Sequence, residues 1–279
     1  MASLEQFIAG FEGKTISVAV QDLETGREIF VNADVMMHPA STMKVPVMME
    51  VFRQAEEGSF SLYDKLPIYN SFKSIVDGSG FSLSVADDSE TTLYSRIGET
   101  ESIRELNRLM IVRSSNLATN ILMDKVGTAR VDAFIKEMGI KDVTVIREIE
   151  DKKAYQLNMN NTFSARGTTH MMRLLAEGRV VSKDASDEMI QVMLGQEFNE
   201  SIPALLPSEV KVAHKTGWTG EFFHDTGIVY PPKRKPYAIT LFTYGFPEND
   251  ETQAHDCMAE VSKIIYRELV FNSNEQGHP

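Results

Sequence analysis

The 279-residue sequence predicts an α/β protein of the α+β kind, with a five-stranded antiparallel sheet flanked by the terminal helices and an all-helical lobe. Two observations carry that prediction. Segments rich in β-branched residues, alternating or continuously apolar, occur near both ends of the chain. The middle instead repeats apolar residues at helical spacing, with a glycine at most of the stops.

In chain order, a short helix leads into residues 15–23, which alternate, turn at Glu24-Thr25-Gly26 and return over 28–31. Residues 41–57 read as a helix with Val45, Met48, Met49 and Phe52 on one face, Gly58 at the stop and Pro46 in its first turns, where a missing N–H costs least. Residues 70–99 are rich in Ser, Asp and Gly; they are either an excursion packed on the helical part or solvated loop. Ser102 and Glu105 form a capping-box start for a helix over 102–112. Helices over 117–126, 129–138 and 164–177 stop at Gly127, Gly139 and Gly178, and one from Asp184 ends near Gly195. Strands return at 210–215, 226–230 and 237–244, with 231–236 as a Pro- and Lys/Arg-containing turn, and a closing helix spans 252–269. The expected division is a discontinuous sheet lobe, 1–36 with 207–279, and a helical lobe over 37–206 carrying Ser41 and Ser114.

Composition narrows the function classes. A formal net charge of −12 offers no massed cations for phosphates, so no nucleic-acid partner is expected, and anionic membrane surfaces would repel the chain. No apolar run approaches the roughly 18 residues of a spanning helix. Residues 1–6 show neither a basic n-region nor an apolar h-region. The chain therefore either stays in the cytoplasm or has lost a leader and gained a starting Met-Ala. One cysteine, Cys257, excludes an intrachain disulfide. The fifteen methionines read as core filler. No His/Cys/Asp set has metal-ligand spacing and no glycine-rich phosphate loop is present, so neither metal nor cofactor is expected.

Three short motifs carry chemistry. In Ser41-Thr42-Met43-Lys44, a lysine three residues after a serine at a helix start shares its face and can reach the hydroxyl. Such a lysine becomes a base when burial beside other cationic groups lowers its pKa, and a helix start offers free N–H groups to an oxyanion. In Ser114-Ser115-Asn116, between two helices, a hydroxyl and a carboxamide two residues apart can point into one cleft. In Lys215-Thr216-Gly217, closing the strand over 210–215, Lys and Thr can bind a carboxylate while Gly admits a substrate backbone. Each alone also reads blandly, as an N-cap, a cap cluster and a turn glycine.

Together and in this order, the Ser-x-x-Lys, Ser-x-Asn and Lys-Thr-Gly motifs resemble those of class A β-lactamases and penicillin-binding proteins. The resemblance runs over nearly the whole chain and implies a β-lactamase/transpeptidase-like fold with its active site in the cleft between the lobes. It implies that Ser41 is acylated and Lys44 activates it. Ser114 would relay the proton to the leaving nitrogen, and Asn116 would hold the acylamino side chain. Lys215 and Thr216 would receive the carboxylate, and the N–H groups of Ser41 and Trp218 would form the oxyanion hole. A periplasmic or secreted location is implied too, alongside the cytoplasmic alternative.

The sequence departs from the family in three places. The middle motif is centred on Ser115 where class A enzymes usually have aspartate. The loop carrying the deacylating glutamate reads approximately Arg-x-Glu-x-x-Leu-Asn in the family. Here Arg147 and Leu157-Asn158 bound it, Tyr155 and Gln156 precede Leu157, and 158–162 is short. Glu150 is the replacement candidate, with Glu148 and Asp151 behind it; solvated loop charges are the other reading. His224 stands near the place of a carboxylate-binding arginine, as a pH-dependent partner or a polar residue at a strand edge. His38 is read as structural.

The expected protein is thus a monomeric serine hydrolase that opens β-lactam amides through an acyl-Ser41 intermediate. The alternatives are a penicillin-binding peptidase, transpeptidase or esterase of the same fold, or a β-lactam- or peptidoglycan-binding sensor that is acylated once and stalls.

Overall fold

The structure, a computed structural model, describes residues 2–247 and 251–271. Met1, the first residue of the 1–6 stretch considered above, lies outside the described residues. The chain divides into two compact units.

The first unit comprises the residues up to Thr42, Phe163–Glu177 and those from Phe198 onward. Its sheet contains β1 (Thr15–Asp22), β2 (Glu28–Val31), β3 (Lys211–Thr219), β4 (Phe222–Tyr230) and β5 (Tyr237–Tyr244) in the order β2-β1-β5-β4-β3. Every pairing is antiparallel, and Thr15 of β1 lies opposite Tyr244 of β5. Both faces are covered, so β1, β4 and β5 are buried almost throughout rather than on alternate residues. One face, with Ile16, Val18, Val20, Ile239 and Leu241, shares a core with Leu4 of α1 (Ala2–Ala9) and with Met258, Val261 and Ile265 of α9 (Glu251–Val270). The other face receives α7 (Ala165–Ala176), whose Thr169 hydroxyl donates to the Ala19 carbonyl at 3.2 Å.

The expected five strands and terminal helices are all present, but the boundaries change. α7 packs on β1, β4 and β5, which carries 163–177 into the sheet unit rather than the helical one. Residues 37–42 and 198–206 join it as well, so Ser41 falls with the sheet and the helical unit begins at Met43. The strand expected to close at Lys215 runs on to Thr219, and the one expected from Thr226 begins at Phe222. Their ladder continues to Thr219 opposite Phe222, and the chain turns at Gly220, whose φ of +54° suits glycine.

The second unit, Met43–Thr162 with Gly178–Glu197, is built around α2 (Lys44–Glu56). Ten of its thirteen residues are buried, the mark of a helix enclosed on all sides. Around it lie α3 (Ile103–Val112), α4 (Asn116–Val126), α5 (Thr128–Glu137) and α8 (Lys183–Met193). Buried Glu50 is paid for locally: Arg53 grips both its oxygens at 2.7 Å and Gln54 donates to Oε1 at 2.6 Å. Only half of the expected capping box forms. Ser102 Oγ accepts from Glu105 N at 3.2 Å, whereas the Glu105 carboxylate turns to Arg108.

The 70–99 stretch is an excursion packed on this unit. It contains short strands, Phe72–Lys73 with Gly80–Phe81, and 3-10 turns at Val85–Asp87 and Thr92–Arg96. A one-turn helix absent from the sequence expectations, α6 (Lys152–Gln156), follows the 147–150 loop. No helix among the described residues is long and apolar enough to cross a membrane.

Candidate active site

Ser41 sits in a 3-10 turn, Ala40–Met43, that runs straight into α2, whose α-helical part begins at Lys44. The expected helix start is therefore a tighter turn followed by the helix. The turn is fixed from within and from the sheet. Pro39 O accepts from Thr42 N at 3.1 Å and from Thr42 Oγ1 at 2.6 Å, while His38 Nδ1 accepts from Ala40 N at 3.1 Å. Ala40 holds a left-handed φ of +47°, an uncommon conformation for a residue with a Cβ.

Strand β3 passes directly against this turn. A Cβ on Gly217 would lie 2.9 Å from Ser41 N, 3.0 Å from Thr42 N and 3.1 Å from Pro39 O. The glycine is thus demanded by the chain's own serine turn, where a substrate backbone was expected. Lys215 is buried and donates to Thr216 O at 2.7 Å. Trp218 is more than half exposed. Behind Lys215, the His214 Nδ1 meets Asp225 at 2.9 Å, and Asp225 Oδ2 accepts from Ile202 N at 3.0 Å, bracing β3 against β4.

His224 is neither a surface group nor at a sheet edge. It lies buried on the inner strand β4, with Nε2 2.8 Å from His38 O. Nε2 thus faces a carbonyl that can only accept, while Nδ1 lies 2.7 Å from Phe223 O and 3.2 Å from Thr243 N. Burial pushes this imidazole down to about 4, against the pull of the His38 and Phe223 carbonyls. Its role is to hold the backbone leading into the Ser41 turn, the structural part that His38 was also expected to play.

In the helical unit, Lys44 is fully buried at the start of α2, and its ammonium has three partners. Nζ donates to Ser114 O at 2.6 Å, Ser114 Oγ at 3.1 Å and Asn116 Oδ1 at 2.8 Å. Burial pushes Lys44 down to about 7, while the negative charges of Asp88 and Glu150 pull the other way. The expected cause, neighbouring cations, is replaced by desolvation strong enough to outweigh two anions.

Ser114-Ser115-Asn116 links α3 to α4. Ser115 is the N-cap of α4, its Oγ accepting from Ala118 N at 3.2 Å, so the helix begins one residue earlier than expected. Ser114 adopts a left-handed φ of +57°, strain of roughly 1–2 kcal/mol that the contact of its carbonyl with Lys44 helps to maintain. Asn116 has both amide ends engaged in this structure: Oδ1 on Lys44, and Nδ2 donating to Asp87 O at 3.1 Å.

The loop after Arg147 is ordered by amides. Asn161 Oδ1 accepts from Ile146 N and Arg147 N, and Asn120 brackets Ile149, accepting from its N–H at 2.9 Å and donating to its carbonyl at 3.0 Å. The carboxylates here are not solvated loop charges. Asp151 is buried, caps α6 at Ala154 N and accepts from Ser74 Oγ and Ile75 N, a wholly structural assignment. Glu148 is buried too; burial and the neighbouring Asp124 carboxylate raise its pKa well above the carboxylate range. Glu150 is half-buried at φ +60°, its Oε2 accepting from Ser84 N at 3.2 Å. Its Oε1 is buried and has no hydrogen-bond partner among the described residues. Burial raises the Glu150 pKa against the pull of the Ser84 N–H, and its charge reaches Lys44.

Two residues near the motifs were invisible in the sequence, Asp87 and Asp88. Among the described residues, no group of three or more His, Cys, Asp or Glu could hold a metal ion.

Residues 1–269 match the family model described as the Beta-lactamase enzyme family. The chain is 26% identical over 171 residues to β-lactamase BRO-1 of Moraxella catarrhalis, a match covering 59% of this chain and 55% of that protein. It is 22% identical over 276 residues to the extended-spectrum β-lactamase PER-1 of Pseudomonas aeruginosa, covering 95% of this chain and 85% of that one. Among solved structures, that of PBP-A superposes with a TM-score of 0.82 at 24% identity, over 99% of this chain and 95% of the other. That likeness establishes the fold.

Proposed function

Because the chain belongs to the beta-lactamase enzyme family, we propose that it is a serine hydrolase that opens β-lactam amides through an acyl-Ser41 intermediate. Lys44 carries this reading. A lysine enclosed in protein and held near 7 is partly neutral at neutral pH, and it begins the helix entered directly from the Ser41 turn. When Nζ loses its proton it keeps two hydrogens for Ser114 O and Asn116 Oδ1, its two shorter bonds. Ser114 Oγ, the third partner, can then reverse and donate to the nitrogen lone pair. A hydroxyl able to donate or accept is what a proton relay needs.

In the proposed reaction, Ser41 Oγ attacks the lactam carbonyl carbon as Lys44 Nζ takes its proton. The N–H groups of Ser41 and Trp218 receive the developing oxyanion. The C–N bond breaks and Ser114 passes a proton to the leaving nitrogen. Lys215 and Thr216 hold the substrate carboxylate, and Asn116 holds the acylamino group by exchanging one of its present bonds for it. Water, deprotonated by Glu150, then attacks the acyl carbon, the C–Oγ bond breaks, and the proton passes back to Ser41 Oγ, restoring both residues. All these residues belong to one chain, so a monomer suffices.

A second reading, an acylated penicillin-binding or sensing protein that stalls, is favoured by Ala154, which stands three residues before Leu157 where the Arg-x-Glu-x-x-Leu-Asn motif has its glutamate. One experiment separates the two: a chromogenic cephalosporin in excess, followed by peptide mass mapping. Steady turnover with transient mass on Ser41 supports the hydrolase. A single burst supports the stalled protein. Absence of any adduct, or an adduct that persists in Ser41→Ala, rejects both.

A further inference from the structure

We propose that Asp88 is a positioning residue for acylation: its carboxylate holds the Ser114-Ser115-Asn116 turn against Lys44 and sets the charge that Lys44 feels. The assignment rests on the proposed acylation of Ser41.

Asp88 lies 28 residues before Asn116 and is buried. Its Oδ2 accepts from Asn116 N at 2.9 Å, Leu117 N at 3.0 Å and Tyr94 OH at 3.0 Å, and its Oδ1 accepts from Glu90 N at 3.0 Å. The first N–H groups of a helix have no partner inside it. Ser115, the N-cap of α4, spends its hydroxyl on Ala118 N, so Asp88 satisfies the two donors that Ser115 leaves over. The preceding residue completes the hold: Asp87 O takes Asn116 Nδ2 and thereby turns Asn116 Oδ1 towards Lys44. One short segment thus fixes Asn116 by backbone and by side chain.

A neutral cap could satisfy those donors, so the negative charge calls for a second reason. The charged groups that act on Lys44 are Asp88, with the larger effect, and Glu150 from the 147–150 loop. Facing Asp88 are Tyr94, Glu90 and Glu150, with Asp87 beside it in sequence; Arg113 lies 3.6 Å from Glu90. Asp88 keeps Lys44 from becoming wholly neutral, so that after taking the serine proton it can hold it long enough to pass it on.

The test compares Asp88→Asn, which keeps one acceptor oxygen for Asn116 N and Leu117 N and removes the charge, with wild type. The full-length protein is labelled with 13Cε-lysine, and the Lys44 signal, assigned with Lys44→Met, is titrated by NMR. The expected result is a Lys44 midpoint lower by about one pH unit in Asp88→Asn, the size of effect typical of one nearby charge. The acid limb of the acylation rate should move down with it. Asp88→Ala, which also frees Asn116, should lose acylation at every pH. An unchanged or raised Lys44 midpoint in Asp88→Asn overturns the proposal. The titration uses no substrate, so failure of every β-lactam to react would refute the enzymatic reading by itself, whereas the midpoint alone decides the role of Asp88.

Discussion

Gly217 and Ser41 are packed backbone to backbone: any side chain on the strand residue would begin 2.9 Å from the serine's amide nitrogen. This places the strand carrying Lys215 and Thr216 against the Ser41 turn with no room to spare. Gly217→Ala must therefore push β3 or the turn outward. It is expected to destabilise the protein by about 1–3 kcal/mol, as overpacking does. The acylation rate should fall by a larger factor than stability explains, because the Ser41 and Trp218 N–H groups move apart. Denaturant melts beside single-turnover acylation would check this; an unimpaired acylation rate would reject the close-approach account.

His224 reaches the same turn from the inner strand, through His38 O. Its folded pKa, about 4, lies below the ordinary 6.5, so between those values the unfolded chain binds more protons than the folded one. Stability then rises with pH across this window and is lost as pH falls from 6.5 to 4, by up to about 3 kcal/mol. His224→Gln retains a donor for His38 O without the titration. Its stability should be flatter than wild type between pH 6.5 and 4 when followed by urea unfolding; parallel curves would dismiss the role of the buried imidazole.

What the sequence made legible, and what it hid, follows the range of the interactions. The strands could be read because apolar and β-branched residues mark them locally, and Ser41 and Lys44 because they are three residues apart in one helical segment. The extension of β3 to Thr219 was hidden because Thr216, Gly217 and Trp218 interrupt the apolar run, although the ladder with β4 continues. His224 looked like an edge residue because its partner is a backbone carbonyl 186 positions away. Asp88 sat in a stretch without periodicity, and nothing local links a loop carboxylate to helix donors 28 and 29 residues later. Local signals mark the candidate reactive residues; long-range hydrogen bonds determine how they are held.

Lys44 makes a prediction of opposite pH range. Its folded pKa of about 7 lies below the ordinary 10.5, so the unfolded chain holds the extra proton between these values and wild-type stability rises with pH across them. Lys44→Met removes that dependence. The variant should compare most favourably with wild type at and below pH 7 and lose ground steadily towards pH 10, while forming no acyl-enzyme at any pH. Thermal midpoints of both proteins at pH 6, 8 and 9.5 would test it; a constant difference would mean that Lys44 titrates normally in the fold.

In the proposed reaction, Glu150 decides whether the acyl group leaves. Its Oε2 is anchored on Ser84 N, and the buried Oε1 has no partner among the described residues, which leaves one oxygen to receive a proton from water. Burial also raises its pKa, making the carboxylate a stronger base than an exposed one. Asp151 is committed to capping α6, and burial with the Asp124 carboxylate pushes Glu148 up to about 8, which keeps it protonated at neutral pH, so neither competes for this part. Glu150→Gln should leave acylation of Ser41 within a few-fold of wild type, with Lys44 losing one of the two anions that act on it. The acyl-enzyme should persist about 10²- to 10⁴-fold longer, the range removed with a general base. Intact-protein mass spectrometry after a pulse of benzylpenicillin reads that lifetime directly, and equal lifetimes in the two proteins would remove Glu150 from the reaction.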